Sequence, residues 1–169
     1  MLNFQTQGTV IRDATQADWP EILALNAEFV FHMSPMDMAR LAQMARASCY
    51  LRVFERDGFV AGFLIGFRKG AAYDGEIFRL FDRRDDDFIY LDRVAVASWD
   101  QHHGVAGKLY DDVVSFARAS GVNTILCEVD VDPPNPVSLH FHERRGFREI
   151  GRQKADVRDR VVALLALQL

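Results

Sequence analysis

The chain has 169 residues, 49% of them hydrophobic and 26% charged, which is enough for one domain with its own core and too little for several. A formal net charge of −4 argues against a non-specific nucleic-acid binder, which works through a basic face, and is compatible with a cationic small substrate. No apolar run approaches the roughly 18 residues needed to span a bilayer, so no membrane association is expected.

Met1-Leu2-Asn3-Phe4-Gln5-Thr6-Gln7 lacks a positive segment followed by an apolar one. No secretory leader is read there, and a cytoplasmic location is expected. Residues 9–12 read as a first strand. Thr15 and Asp18 have capping-box spacing and Pro20 lies in the first turn; Ile22, Leu25 and Phe29 follow at helical intervals. Ser34-Pro35-Met36-Asp37 repeats the capping chemistry and opens a second helix through Met38, Leu41 and Ala45. Residues 49–54 and 59–67 are strand-like, with Arg56-Asp57-Gly58 as a hairpin turn between them. Residues 68–87 read as a long irregular segment, with Asp85-Asp86-Asp87 as a solvated loop. Residues 88–96 are apolar on both faces and read as a central strand. Residues 104–120 form a helix with Val105, Leu109, Val113 and Phe116 on one face and Gly121 as its stop. Residues 124–131 are the next strand, Asn135-Pro136 caps a short helix ending at Gly146, and residues 147–152 and 160–167 close the chain as strands. The order is β-α-α-β-β-β-α-β-α-β-β, one domain over residues 1–169. The two cysteines, Cys49 and Cys127, sit in apolar strand-like runs. They read as buried small hydrophobes in a reducing compartment.

The most informative stretch runs from Val94-Ala95-Val96 through Gln101-His102-His103 to Gly104-Val105-Ala106-Gly107. A buried strand passes through a short polar loop into a helix, and that order leaves backbone N–H groups free to face an anion. Gln101-x-x-Gly104-x-Ala106 matches the Q/R-x-x-G-x-G/A signature of the GNAT N-acetyltransferase superfamily. Downstream, Asn135-x-x-Ser138-x-x-Phe141-His142-x-x-x-Gly146-Phe147 resembles that family's N-x-x-A-x-x-L-Y-x-x-x-G-F. The two motifs are separated by one helix and one strand, as in the family. Tyr73-Asp74 through Phe81, then Tyr90 to Val94, look like a bacterial subgroup of it.

The resemblance implies an α/β (α+β) fold: a mixed, mostly antiparallel sheet of about seven strands flanked by about four helices, splayed between strands four and five. It implies acetyl-CoA as acyl donor. The pyrophosphate would lie on the backbone of Gln101, His102, His103 and Gly104 and on the first helical turn, Val105, Ala106, Gly107 and Lys108. The pantetheine arm would pair with Val94, Ala95 and Val96, whose backbone would also meet the thioester carbonyl. Asn135, Ser138, Phe141 and His142 would line its other side. The reaction implied is direct attack by an amine in a ternary complex. Many members protonate the leaving thiolate with a tyrosine; here that position holds His142, which can donate a proton near neutral pH.

For the base, the residues themselves offer Asp92 first, an acid inside an otherwise apolar strand. Strand alternation turns Arg93 to the opposite face, so no partner is evident for it. Glu128 on the next strand is the second candidate, with a structural role favoured. The family builds its acceptor pocket from the first two helices and the loop before strand four. Phe29, His32, Tyr73, Asp74, Phe78 and Phe81 are the matching residues, with Asp92 at the base. Adjacent His102 and His103 without further ligands make no metal site. The acceptor expected is a primary amine of a small molecule. A protein substrate is less favoured, since no open acidic groove is legible. The apolar closing strand, read as a sheet edge, points to a homodimer. The competing reading is a non-catalytic acyl-CoA-binding or sensing module, to which the missing tyrosine gives weight. A nucleotide hydrolase would need a G-x-x-x-x-G-K-[ST] loop, which the sequence lacks.

Overall fold

The computed structural model describes residues 8–169; residues 1–7, where no secretory leader is read from the sequence, lie outside the described residues. The elements are β1 (Thr9–Asp13), α1 (Trp19–Glu28), α2 (Met38–Ala47), β2 (Tyr50–Arg56), β3 (Phe59–Arg68), α3 (Glu76–Phe81), β4 (Ile89–Val96), α4 (Val105–Ala119), β5 (Thr124–Asp132), α5 (Pro136–Arg144), β6 (Arg148–Ala155) and β7 (Arg160–Gln168).

Local chemistry accounts for most boundaries. Thr15 and Asp18 form a capping box that starts a single 3-10 turn leading into α1. Asp37 caps α2, its Oδ1 accepting from the Arg40 backbone N–H at 2.7 Å. Asp57 and Gly58 both have positive φ, +52° and +86°, the geometry whose twist suits a tight hairpin.

The seven strands of the described residues form one sheet in the order β1-β2-β3-β4-β5-β7-β6. Every neighbouring pair is antiparallel except β4 and β5. β4 is central, as its two apolar faces require. One face packs against α1, α2 and α3 through Ile22, Leu25, Leu41, Met44 and Phe78. The other packs against α4 through Val105, Leu109, Val113 and Ala117, with Phe147 beside them. Gly62 lets α4 come close to the sheet: a Cβ there would stand 3.0 Å from both Val105 Cγ1 and the Ala95 carbonyl oxygen.

β4 and β5 share only two register pairs, Ile89 with Ile125 and Tyr90 with Leu126. Beyond Tyr90 the strands part, while β4 keeps β3 on its other side. The backbone of β4 from Leu91 onward therefore lacks a partner strand on the β5 side. Those groups need a partner of some kind, and the opening is where a ligand can supply it.

Two expectations are corrected. Residues 68–87 are not wholly irregular: α3 lies within them, one helix more than the element order read from the sequence. At six residues, α3 is too short to show periodicity; it forms because Ile77, Phe78 and Phe81 find a buried aromatic environment. β7 is not an edge strand, for it lies between β5 and β6. Its apolar sequence reflects burial within the sheet, and the argument for a homodimer loses its premise.

Candidate active site

A cavity of about 840 Å³ occupies the opening between β4 and β5 and reaches both faces of the sheet. On the α4–α5 side, the loop after β4 is fixed by Asp100. This buried carboxylate accepts from Arg56 Nε at 2.7 Å and lies 2.9 Å from His103 Nδ1. Gln101 Nε2 donates to the Val96 carbonyl at 3.3 Å. His102 and Gly104 take φ of +66° and +77°, and α4 begins at once. Its first intrahelical bond is Lys108 N–H to the Gly104 carbonyl, 3.0 Å, so the N–H groups of Val105, Ala106 and Gly107 have no partner within the helix. An added Cβ at Gly104 would meet no atom within 4 Å, so its left-handed φ demands the glycine. Gly104→Ala is expected to weaken CoA binding about tenfold by calorimetry, a loss comparable with the ~1–2 kcal/mol strain of a side chain in that region.

The floor of the cavity departs from simple alternation. In the β3–β4 ladder Ile65 pairs with Arg93 and Gly66 with Leu91, so Asp92 is the extra residue of a bulge. The bulge turns Asp92 and Arg93 to the same face. Asp92 accepts from Tyr73 Oη at 2.5 Å and from Arg93 Nε at 2.7 Å. Arg93 Nη1 also donates to Asn26 Oδ1 at 2.7 Å and to the Ser34 carbonyl at 3.1 Å. The expectation that Arg93 faces away from Asp92 is thus corrected.

Glu128, across the opening on β5, differs. Its Oε1 accepts from Tyr90 Oη at 2.9 Å, while Oε2 is buried with no partner. Burial, and next the negative charge of Asp92, push its carboxyl up to about 8. Asp130, two residues on, is neutralised by Arg160 at 2.5 Å, and His32 Nδ1 lies 3.3 Å away. Of the three acids on the floor, Glu128 alone has no cation bonded to it.

On the donor side, His142 Nε2 is 2.7 Å from Tyr110 Oη and its Nδ1 is 2.7 Å from the Ser138 carbonyl. Asn135 Oδ1 caps α5 by accepting from Ser138 N–H at 3.2 Å. Asn135, Ser138, His142 and Tyr110 all line the cavity, as does Val94. Tyr110 escapes sequence reading because it belongs to the buried stripe of α4, where tyrosine reads as core.

On the acceptor side, Arg158 donates to the carbonyls of His32 (2.7 Å), Phe31 (2.8 Å) and Val30 (3.1 Å). Glu76 accepts from the backbone N–H groups of Asp156 (2.8 Å) and Val157 (3.3 Å). The turn between β6 and β7 is thereby tied to the α1–α2 loop and to α3, and roofs the cavity. His32, Tyr73 and Asp74 line it, Asp74 in an ion pair with Arg40 at 2.7 Å. Phe78 and Phe81 do not: they are buried among Phe67, Phe88 and Tyr90. Phe29 packs against the same core, and Phe141 packs edge-on to Tyr110. Lys108 Nζ lies 5.5 Å from the centre of the Phe54 ring. Among the described residues no group of three or more His, Cys, Asp or Glu is placed to hold a metal ion. No described helix is long and apolar enough to cross a membrane.

The opening beside β4 is thus followed by a short loop and the N-terminus of α4, with three backbone N–H groups free of partners within the helix. Residues 11–147 match the Acetyltransferase (GNAT) family. The chain belongs to that family. Its fold is similar to that of ribosomal-protein-alanine N-acetyltransferase from Brucella melitensis, at 25% identity and TM-score 0.71 over 95% of this chain and 99% of that one. It is also similar to yncA of Salmonella typhimurium, solved with its cofactor acetyl-CoA, at 21% identity and TM-score 0.71 over 96% and 95%. Arabidopsis thaliana NAA60, solved with acetyl-CoA, aligns at 13% identity and TM-score 0.75 over 95% and 99%. A search of curated proteins finds no match.

Proposed function

We propose that the protein transfers the acetyl group of acetyl-CoA to a primary amine of a small molecule by direct attack, with Glu128 as general base. The observation that carries the reading is the buried, unpartnered Oε2 of Glu128 in a cavity that opens on both faces of the sheet. The acceptor ammonium enters beneath the roof formed by Arg158 and Glu76 and meets the acidic floor. Glu128 takes its proton; a carboxyl pushed up to about 8 is far better matched to an amine than an ordinary carboxylate. Asp92, already holding Tyr73 and Arg93, raises the basicity of Glu128. The thioester carbonyl lies against the unpaired backbone of Val94 to Val96, where a fixed N–H stabilises the developing oxyanion. The diphosphate rests on the N–H groups of Val105, Ala106 and Gly107.

The roof over the acceptor side and the cavity volume, shared between donor arm and acceptor, favour a small amine. A polypeptide N-terminus is the second reading, favoured by the likeness to the Brucella melitensis enzyme named for a ribosomal-protein alanine. Release of free CoA thiol over a panel of amino acids, polyamines and short peptides with free α-amines separates them. Turnover of a small amine supports the proposal. Turnover of peptides alone moves the acceptor to proteins. CoA binding with no turnover of any amine leaves a non-catalytic acyl-CoA-binding module.

A further inference from the structure

We propose that the hydroxyl of Tyr110, oriented by His142, delivers the proton to the sulfur that leaves the acetyl group. This rests on the reading of the cavity as an acetyl-transfer site and adds to it a residue that neither sequence motif contains.

Tyr110 is 2% exposed, and its Oη stands 2.7 Å from His142 Nε2. Both side chains line the cavity on the side of Val94, Cys127 and Ser138, where the thiol end of the donor must come to rest. His142 Nδ1 is 2.7 Å from the Ser138 carbonyl oxygen. A carbonyl only accepts, so Nδ1 carries the hydrogen and Nε2 is left with a lone pair. Tyr110 is therefore the donor in the bond to Nε2. Of this pair the transferable hydrogen belongs to the phenol. Burial lowers the basicity of the imidazole, so Nε2 stays unprotonated at neutral pH. The phenol ring is held in place: Phe141 and Phe147 meet it edge-on at 5.1 Å and 6.1 Å, and the Arg145 guanidinium lies 5.5 Å from its centre.

The step balances as follows. The amine nitrogen forms its bond to the acetyl carbon and its proton passes to Glu128. The C–S bond breaks and its electron pair goes to sulfur. The Tyr110 O–H swings from Nε2 to the sulfur, exchanging a neutral hydrogen bond for a charge-assisted one, and transfers its proton. The phenolate takes a proton from water, and Glu128 releases one to water. Starting from the neutral amine, the products are an amide and a thiol with no net proton released; an ammonium acceptor first sheds its extra proton to water through Glu128. His142 is a positioning residue: its lone pair sets the direction of the hydroxyl before the donor arrives.

The test needs no knowledge of the acceptor. The thiol of bound CoA is titrated by the ultraviolet absorbance of its thiolate, with the desulfo-CoA complex as blank, in the wild type and in Tyr110→Phe. The Phe variant keeps the ring and its packing, and CoA-dependent melting checks that it folds. Loss of a hydrogen bond to the thiolate should raise the thiol pKa by about one unit. With the best amine of the panel, kcat should fall about 100-fold and CoA affinity should stay within about twofold. His142→Gln, which can still accept from Tyr110, should cost under about tenfold. An unchanged thiol titration in Tyr110→Phe overturns the proposal, as does a loss in His142→Gln equal to that in Tyr110→Phe. Failure of the wild type to bind CoA would instead bring down the acetyl-transfer reading itself.

Discussion

Glu128→Gln lowers kcat by about 10²–10⁴-fold, the usual worth of a placed general base, and leaves CoA affinity unchanged. Glutamine keeps the size of the side chain and can still accept from Tyr90, so the packing survives. What disappears is the proton acceptor on the acidic floor. The pH profile carries the same signature. A base must be deprotonated to act, so kcat/KM of the wild type rises with pH through about 8, where burial and the Asp92 charge place Glu128. Asp92→Asn removes that negative charge, which favours the ionised form of Glu128, and Arg93 beside it gains the same influence. The inflection therefore moves to lower pH. Stability runs the other way. The folded pKa of Glu128 lies above its unfolded value of 4.5. The stabilisation linked to its protonation is complete below 4.5 and is lost as pH rises through about 8. Glu128→Gln escapes that loss, so at pH 9 its Tm should exceed that of the wild type by roughly 5 °C. A Gln variant with full activity would remove Glu128 from the chemistry.

Arg93→Met is the second large effect, and it falls on stability. Arg93 is 8% exposed and holds Asp92, Asn26 and the Ser34 carbonyl. Removing one partner of a buried ion pair strands the other charge, at a cost of about 3–5 kcal/mol. Thermal unfolding should shift down by roughly 10 °C. The α1–α2 loop loses a tie through Ser34, so KM for the amine should rise as well. The double variant Asp92→Asn, Arg93→Met should recover more than half of the lost stability, because no buried charge is left unpaired. A double variant as unstable as Arg93→Met would show that Arg93 acts through packing instead.

The two predictions sit on opposite strands of the opening, and they differ in how far the sequence foretells them. Glu128 is visible as an acid on β5, but its exceptional state is not. That state depends on Asp92 and Asp130 each having captured an arginine, from Arg93 and Arg160, while Glu128 found only the Tyr90 hydroxyl. The Asp92–Arg93 bond is hidden from any reading that assumes a period of two. One bulged residue cancels the alternation, and nothing in Tyr90-Leu91-Asp92-Arg93-Val94 marks it. Gly66, opposite the irregularity, is the nearest sequence signal. Tyr110 is hidden for another reason: a buried tyrosine on a helix stripe looks like core until α5 brings His142 to it.

Local pattern alone carries the element order apart from α3, the caps at Thr15 and Asn135, the loop at Gly104 and the centrality of β4, because each follows from neighbours within a few residues and from hydrophobic periodicity. The folded chain alone places β7 inside the sheet, parts β4 from β5 after Tyr90, and sorts the acids of the cavity into paired and unpaired. These are outcomes of register and packing among residues far apart in the chain, and hydrogen-bond partners chosen at that range leave no periodic trace along it.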